Sequence, residues 1–223
     1  MKYRHEWKHI ISYGDMLTIR ARLSAVAKSD IHAVDGKYKI RSLYFDNASD
    51  KALREKIDGV NAREKFRIRY YNDDTSLIFL EKKCKINGLC LKESTVLTKE
   101  QAESISHGII IRQSGTGNRL IDELRFKMTN QGLKPKTIVD YTREPFVFPA
   151  GNVRVTLDYD IRTGLNQTDF LNPHCVTVPA AENAIILEVK WDEFLPDIIR
   201  EAVQLPNCRS TAFSKYAVCR TYG

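Results

Sequence analysis

The feature of this sequence that most restricts its fold is the alternation of ionic and apolar residues in many short segments. In the segment 64–71 (EKFRIRYY), Arg67 and Arg69 have odd numbers, whereas Phe66, Ile68 and Tyr70 have even numbers. We call this odd or even position along a strand its parity. Successive side chains of a β-strand point to opposite faces, so such a segment has one ionic face and one apolar face. The alternation predicts strands over 3–11, 37–47, 64–72, 77–86, 88–97, 136–148, 153–162 and 184–192.

Ionic faces of this kind recur on four other predicted strands. They consist of Arg4, Glu6 and Lys8; of Glu81, Lys83 and Lys85; of Arg154, Thr156, Asp158 and Asp160; and of Glu188 and Lys190. A half-exposed sheet whose polar face meets water would explain any one of these strands. The whole set is richer in Arg, Lys and Glu than a solvated face usually is, and the opposite faces are apolar enough to need cover. A barrel with a charged interior and helices packed outside accounts for both properties.

Helix signals lie between the predicted strands. The predicted helices are 16–27 with Asp15 as N-cap, a short helix that starts at Ser49 or Asp50 and ends before Gly59, 99–107 capped by Thr98, 119–131 between Asn118 and Gly132, 197–204 with Pro196 in its first turn, and 211–221. Because the helices are inserted between successive strands rather than strictly alternating with them, we predict an antiparallel α+β fold. No repeat or linker-like segment interrupts the chain, which predicts a single domain over 1–223.

Composition restricts the partner and the compartment. The net charge of +7, from 35 Lys and Arg against 28 Asp and Glu, favours an anionic partner but does not distinguish nucleic acid, phosphate and lipid. Five scattered cysteines without a CxxC pair argue for reduced thiols and against a zinc site or a disulfide framework; they are Cys84, Cys90, Cys175, Cys208 and Cys219. The N-terminal residues lack the apolar core of a signal peptide, and no segment has transmembrane length. We therefore expect a soluble, cytoplasmic protein.

The ionic faces favour a phosphate-type anion over nucleic acid. The segment from Arg67 to Tyr71 interleaves basic and aromatic residues as nucleic-acid binders do, but Tyr70 alternates away from the arginines and is expected in the core. The segment 114–118 (SGTGN) lacks the Lys-Ser/Thr ending of a P-loop and is predicted to be a flexible loop. Several cations in a confined interior lose hydration and repel one another, so an anion is needed to neutralise them. A glutamate among them is explained by a divalent metal that bridges it to phosphate oxygens.

Eight short motifs give the sequence a family resemblance. They are Arg4-His-Glu-Trp-Lys8, Leu43-Tyr-Phe-Asp46, Arg67-Ile-Arg-Tyr-Tyr71, Leu80-Glu-Lys-Lys83, Tyr141-Thr-Arg143, Arg154-Val-Thr-Leu-Asp158, Leu187-Glu-Val-Lys190 and Phe213-Ser-Lys-Tyr216. Their order resembles that of the VTC family, whose fold is similar to that of the triphosphate tunnel metalloenzymes, also called CYTH-like proteins. The resemblance implies an eight-stranded antiparallel β-barrel tunnel with a charged lumen. It also implies a polyphosphate polymerase, which transfers the γ-phosphate of ATP to a polyphosphate chain with Mn²⁺ or Mg²⁺.

The matching motifs also imply roles for individual residues. The residues expected to act on the transferring phosphoryl group are Lys8, Arg67, Arg69 and Lys92, and those expected to hold the metal are Glu188 and Glu6. The expected substrate-binding residues are Lys83, Tyr141, Arg143, Arg154, Lys190, Ser214 and Lys215. Phosphoryl transfer needs alignment of the reacting oxygens and positive charge rather than covalent help from the protein. An anionic acceptor phosphate needs no general base, whereas hydrolysis needs a positioned water.

Two alternatives stay open at this point. A triphosphatase could use the same tunnel, and a non-catalytic module could bind polyphosphate or a phosphorylated ligand there. The triphosphatase branch carries ExExK on its first strand, where this chain has Arg4-x-Glu6-x-Lys8, and the missing carboxylate favours the polymerase. Glu188 favours catalysis, because a pure anion receptor gains nothing from a buried carboxylate. The expected partners are ATP or another triphosphate and polyphosphate, without nucleic acid; export of a product would require a separate membrane protein.

Overall fold

The computed structural model describes residues 3–110, 117–206 and 210–221. Its strands are β1 (His5–Ile11), β2 (Lys28–Ser29), β3 (Tyr38–Asp46), β4 (Arg63–Tyr71), β5 (Asp74–Ile86), β6 (Leu89–Leu97), β7 (Lys134–Phe148), β8 (Val153–Thr163), β9 (Val178–Pro179) and β10 (Ile185–Trp191). Its helices are α1 (Tyr13–Val26), α2 (Lys51–Ile57), α3 (Lys99–Ser106), α4 (Arg119–Gln131), α5 (Asp197–Ala202) and α6 (Lys215–Thr221), with 3₁₀ turns over Ala150–Asn152 and Ala181–Asn183. All eight strands that the alternation predicted are present, and β2 and β9 are additional.

The sheet curls until its two edges meet. The antiparallel strands follow the order β1–β10–β8–β7–β3–β4–β5–β6, while the short strands β2 and β9 pair with β7 and β8. The backbone N–H of Arg4, just before β1, donates to Cys90 O in β6 at 3.0 Å, and Cys90 N–H donates back to Arg4 O at 3.1 Å. This bridge joins the first and last strands of the order. The α+β fold with an antiparallel barrel of eight main strands is therefore confirmed.

Helices α1, α3, α4 and α5 cover the outer face of the barrel, as expected from the apolar strand faces. In one apolar core, α1 and α5 pack on β8 and β10, with Leu23 and Ile199 against Leu157 and Leu187. In a second core, α3 and α4 pack on β3, β4, β5 and β7. All four named side chains are fully buried. Burying each of them contributes roughly 1.5–3 kcal/mol, so the outer cores hold the charged inner face in position.

A third apolar core lies on the inner face and involves α6. Tyr44 of β3 and Tyr141 of β7 have the parity opposite to the residues of the outer cores, and both are buried with Tyr216 of α6. The rings of Tyr44 and Tyr216 stack with centroids 5.1 Å apart. The Tyr216 hydroxyl donates to Asp46 Oδ2 at 2.7 Å, which attaches α6 to the end of β3. One part of the barrel interior is therefore filled with aromatic side chains, and the ionic residues line the remainder.

The helix predictions need three corrections. Ser12, not Asp15, is the N-cap of α1: Ser12 Oγ accepts from Asp15 N at 3.1 Å, and Asp15 Oδ2 accepts from Ser12 N at 3.0 Å. This reciprocal arrangement is a capping box, in which the acidic residue occupies the third helical position. Helix α5 ends at Ala202, two residues earlier than predicted, and α6 begins at Lys215 rather than at 211. The other predicted caps, Thr98, Asn118 and Gly132, are confirmed, and Asp50 directly precedes α2 without forming a side-chain capping bond.

Two further expectations concern particular segments. Residues 114–116 of the predicted loop 114–118, like Cys208, lie outside the described residues. Among the described helices, none combines the length and the apolar character that crossing a bilayer requires. The cysteines that the structure describes, Cys84, Cys90, Cys175 and Cys219, are all free thiols, in agreement with the expectation of reduced cysteines.

Candidate functional site: a cationic cavity inside the barrel

The barrel interior contains a cavity of about 680 Å³. Its described lining includes thirteen cationic side chains: Arg4, Lys8, Lys56, Arg63, Lys65, Arg67, Arg69, Lys83, Lys85, Lys92, Arg143, Arg154 and Lys190. Three carboxylates, those of Glu6, Glu64 and Glu188, share the lining with them. Such an excess of positive charge in a confined space favours a multiply charged anion, which Arg forks and Lys ammonium groups can bind.

Eleven of the thirteen residues expected at the site line this cavity. The structure thus brings together Glu6 and Lys8 of β1, Arg67 and Arg69 of β4, Lys83 of β5, Lys92 of β6, Arg143 of β7, Arg154 of β8, Glu188 and Lys190 of β10, and Ser214 before α6. The two exceptions, Tyr141 and Lys215, are not part of the described lining and contact each other next to it. Lys215 Nζ is 2.6 Å from Asp158 Oδ2 and 4.7 Å from the centroid of the Tyr141 ring.

Two carboxylates and two lysines alternate on the wall that β1 and β10 form. The strand register places Glu6 opposite Lys190 and Lys8 opposite Glu188. Lys8 Nζ lies 2.9 Å from Glu6 Oε1 and 3.2 Å from Glu188 Oε2, and Lys190 Nζ lies 3.4 Å from Glu6 Oε2. Burial by itself would raise the pKa of Glu188, but Lys190 and Lys8 hold it well below its usual value. Both lysines therefore keep Glu188 ionised.

The same wall offers two carboxylates, Glu6 and Glu188, as candidate ligands for a divalent metal. Burial and Glu188 would raise the pKa of Glu6, but Lys8 and Lys190 lower it to about 2, so both carboxylates are anionic at neutral pH. Glu188 Oε1 lies 2.5 Å from Lys190 Nζ, yet no described donor meets this buried oxygen with hydrogen-bond geometry. Among the described residues, no cluster of three or more Asp, Glu, His or Cys side chains could hold a metal. Mg²⁺ commonly takes one or two carboxylates and completes its shell with phosphate and water, which suits this pair.

The opposite wall contains a carboxylate to which the sequence assigned no role. Glu81 is only 2% exposed and binds three of the expected site cations. Its Oε2 accepts from Arg67 Nε at 2.8 Å and Nη2 at 2.7 Å and lies 3.5 Å from Arg69 Nε, while its Oε1 accepts from Lys92 Nζ at 3.2 Å. Burial by itself would raise the pKa of Glu81, but Arg69 and Lys92 lower it. The shared parity of Glu81 and Lys83 was the sequence signal for this position.

Tyrosines orient the guanidinium groups of the wall. Arg67 Nη1 donates to Tyr44 Oη at 2.8 Å, and Arg69 Nη1 donates to Tyr71 Oη at 2.7 Å. Across the barrel, Arg154 Nη2 donates to Tyr38 Oη at 2.5 Å. These hydroxyls restrict the side-chain freedom of the arginines, so less conformational entropy is lost when an anion binds. Sequence reasoning gave Tyr38, Tyr44 and Tyr71 no role of their own.

A closed antiparallel barrel with outer helices and a cationic cavity defines the class: this is a helix-covered β-barrel protein with a charged tunnel. The sequence model of the VTC domain family matches residues 3–222. The chain therefore belongs to the VTC domain family. The resemblance found in the motifs is confirmed over nearly the whole chain.

Several solved structures are similar to this chain at low sequence identity. A putative adenylate cyclase from Bacillus halodurans is 14% identical with a TM-score of 0.53, and the match covers 85% of this chain and 80% of that one. A protein from Pyrococcus horikoshii is 16% identical over 90% of this chain and 84% of its own, with a TM-score of 0.44. A Mimivirus capping-enzyme triphosphatase is 10% identical over 90% and 84%, with a TM-score of 0.39. A comparison with curated protein sequences found no match.

Proposed function

We propose that this protein is a polyphosphate polymerase that transfers the γ-phosphate of ATP to a polyphosphate chain inside the barrel, with Mn²⁺ or Mg²⁺. The observation that carries the proposal is the pairing, within one cavity, of the ionised carboxylates Glu6 and Glu188 with a wall of thirteen cations. The cations suit a polyanion, and the carboxylates suit a metal bound to that polyanion. The proposal treats 1–223 as one tunnel domain and places it in the cytoplasm, where ATP is available.

The wall cations have distinct proposed roles. Arg67 and Arg69, held by Glu81 and two tyrosines, neutralise the charge that develops on the transferring phosphoryl group. Lys8 and Lys92 act on the same group. The donor and the polymer are bound by Lys83, Arg143, Arg154, Lys190 and Ser214. Tyr141 and Lys215 act through their neighbours: Tyr141 positions Arg143, and Lys215 positions Asp158.

Glu188 and Glu6 would hold the divalent metal, which would supply positive charge to phosphate oxygens. Glu188 Oε1 lies 3.9 Å from Arg143 Nη2, so the proposed metal ligand is adjacent to the proposed substrate-binding cations. Because each oxygen pair of Glu6 and Glu188 is shared with Lys8 and Lys190, those lysines must move or share their contacts when a cation enters. We infer that Lys8 and Lys190 then turn to phosphate oxygens.

The ionisation of the cavity carboxylates favours polymerisation over hydrolysis. The described lining contains no histidine, and its three carboxylates, Glu6, Glu64 and Glu188, all have lowered pKa values. A carboxylate with a lowered pKa is a weak general base, so it is poorly suited to activating water. A phosphate acceptor is already anionic and needs no such base. Activation of water by a carboxylate of the described lining is therefore disfavoured, whereas transfer to phosphate needs no such activation.

The experiment is an incubation of the purified protein with ATP and Mn²⁺, in which ADP, free phosphate and long-chain polyphosphate are all measured. Long-chain product with an equal amount of ADP supports the polymerase. Free phosphate without polymer would show a triphosphatase, and neither product, with polyphosphate bound, would show a binding module. Arg67→Met should abolish polymer synthesis. Lys39→Met is the matched control, because Lys39 is an exposed cation on β3, outside the described cavity lining.

A further inference from the structure

Three lysines lie side by side on adjacent strands of the cavity wall. The register of β4 and β5 places Lys65 directly opposite Lys83, and the register of β5 and β6 places Lys83 directly opposite Lys92. All three side chains line the cavity. Like charges directly opposite each other destabilise a sheet. A row of three cations across three strands is therefore an arrangement that folding alone does not favour.

The members of this lysine row, Lys65, Lys83 and Lys92, differ in how their charge is balanced. Lys92 is largely exposed and lies 3.2 Å from Glu81. Lys65 and Lys83 are half-buried, and among the described residues neither forms an ion pair with a carboxylate. The centroid of the Tyr44 ring lies 5.5 Å from Lys65 Nζ. Two of the three amines thus occupy the cavity without a fixed counter-charge.

The charged groups that surround Lys65 come from several elements. They are Lys8 and Glu6 of β1, Lys56 of α2, Lys83 of β5, Lys215 of α6, and Arg63 and Arg67 of its own strand. The groups that surround Lys83 are Lys190 and Glu188 of β10, Glu81 of β5, Arg69 of β4 and Lys92 of β6. Cations outnumber carboxylates around both amines. An added proton is therefore repelled by the wall unless an anion is present.

The ionisation of Lys65 follows from this environment. Loss of hydration, and then repulsion by Lys8, lower the pKa of Lys65 to about 7. Loss of hydration, and then repulsion by Lys190, also hold the pKa of Lys83 well below its usual value. The Lys65 amine is thus poised to change charge near neutral pH, whereas an exposed lysine remains protonated there. A nearby anion favours the protonated form of an amine.

We propose that a phosphate-type anion entering the lysine row binds together with a proton from solvent, which the Lys65 amine takes up to become an ammonium ion. The inference rests on the proposed function, since it assigns the anion to the same cavity. Its consequence is that the tunnel binds phosphate chains more tightly as the pH falls towards neutrality and releases them as the pH rises. This coupling between anion binding and proton uptake requires no movement of Lys83 or Lys92.

The test uses cyclic trimetaphosphate without metal, because the charge of this anion does not change near neutral pH. Its binding to the full chain is measured by isothermal titration calorimetry in two buffers of different ionisation enthalpy, from about pH 6 to about pH 9. The difference between the buffers gives the number of protons taken up. We expect net proton uptake above neutral pH and an affinity that falls by up to about tenfold per pH unit for one proton.

Substitutions assign the proton to a residue. Lys65→Arg keeps a permanent positive charge, so it should bind trimetaphosphate at high pH at least as well as wild type while taking up fewer protons. Lys65→Met should weaken binding at all pH values. Lys39→Arg, on an exposed position of β3, should leave both affinity and proton uptake unchanged. Unchanged uptake in Lys65→Arg would overturn the assignment.

The wild-type measurement alone is decisive if a variant fails to fold. Binding of trimetaphosphate with the same heat in both buffers and a pH-independent affinity would overturn proton uptake and leave the polymerase proposal standing. No binding at any pH would overturn both the inference and the anion-binding tunnel. Polymer synthesis from ATP is measured separately and tests the proposed polymerase activity. Failure of the proton-uptake inference is therefore distinguishable from failure of the polymerase proposal.

Discussion

Arg143 and Asp158 form a two-pronged ion pair in the barrel wall, with Nε–Oδ1 and Nη2–Oδ2 distances that are both 2.6 Å. Asp158 is fully buried and also accepts from Lys215 Nζ at 2.6 Å. The wall cations therefore fall into two groups. Some, such as Arg143, neutralise a buried carboxylate, and others, such as Lys83, have no carboxylate partner among the described residues.

The two groups should respond differently to substitution. Arg143→Met leaves part of the Asp158 charge buried without compensation and should lower the free energy of unfolding by about 3 kcal/mol. Lys83→Met removes repulsion from the lysine row, so it should keep or raise stability while weakening trimetaphosphate binding. Urea unfolding and calorimetry measure these effects. Equal losses of stability in both variants would contradict the division.

Glu81→Gln should separate positioning from binding. The substitution keeps the side-chain volume but removes the anionic partner of Arg67 and Arg69. Loss of negative charge should keep or tighten metal-free anion binding, whereas misplacement of the arginines should lower kcat by roughly 10²-fold. The matched control is Glu144→Gln, a buried acid that binds Arg20 of α1 on the outer side. A kcat equal to that of the control would mean that Glu81 supports only the fold.

Glu188→Gln tests the metal assignment. The neutral amide is a poorer ligand for Mn²⁺ than a carboxylate, so metal-dependent turnover should be lost while trimetaphosphate still binds without metal. Binding of Mn²⁺ itself is followed by the electron paramagnetic resonance signal of the free ion, with Glu144→Gln as control. Wild-type protein should reduce this signal in the presence of triphosphate. Equal reduction by Glu188→Gln would show that the metal is held elsewhere.

Asp158 should contribute to stability in a pH-dependent way. Burial by itself would raise its pKa, but Arg143 and Lys215 lower it from 3.8 to about 2. Because the pKa is lower in the folded state, the stabilisation is present above 3.8 and is lost as the pH falls towards about 2. The difference in unfolding free energy between wild type and Asp158→Asn should therefore shrink by about 2 kcal/mol over this window. A difference that stays constant with pH would contradict the assignment.

The strand positions were accessible from the sequence because parity is a local property. Arg67 and Arg69 share a face in any regular strand, and the apolar residues between them require an outer cover. The same logic placed Lys8, Lys83 and Lys190 on ionic faces, and all of them line the cavity. The N-cap of α1 was misassigned because Ser12 and Asp15 are both good caps and only the hydrogen bonds distinguish them.

Long-range pairing was not accessible in this way. Glu81 binds Arg67 across the β4–β5 hairpin, and Asp158 binds Lys215 from a helix far along the chain. Parity puts such residues on one face without fixing the register that decides which pairs touch. Charge balance therefore could not be assigned residue by residue, and Tyr141 and Lys215 were expected at the cavity although they are not part of its described lining.

The sequence by itself determined which side chains share a strand face, and its motifs determined the family. Tertiary structure decided how those faces meet: the bridge between Arg4 and Cys90 closes the sheet, so that ionic faces which could have met water enclose a cavity. It also decided that Lys65 faces Lys83 rather than a carboxylate. The physical reason is that parity is set by neighbouring residues, whereas register, curvature and charge balance depend on strands that are distant in the chain.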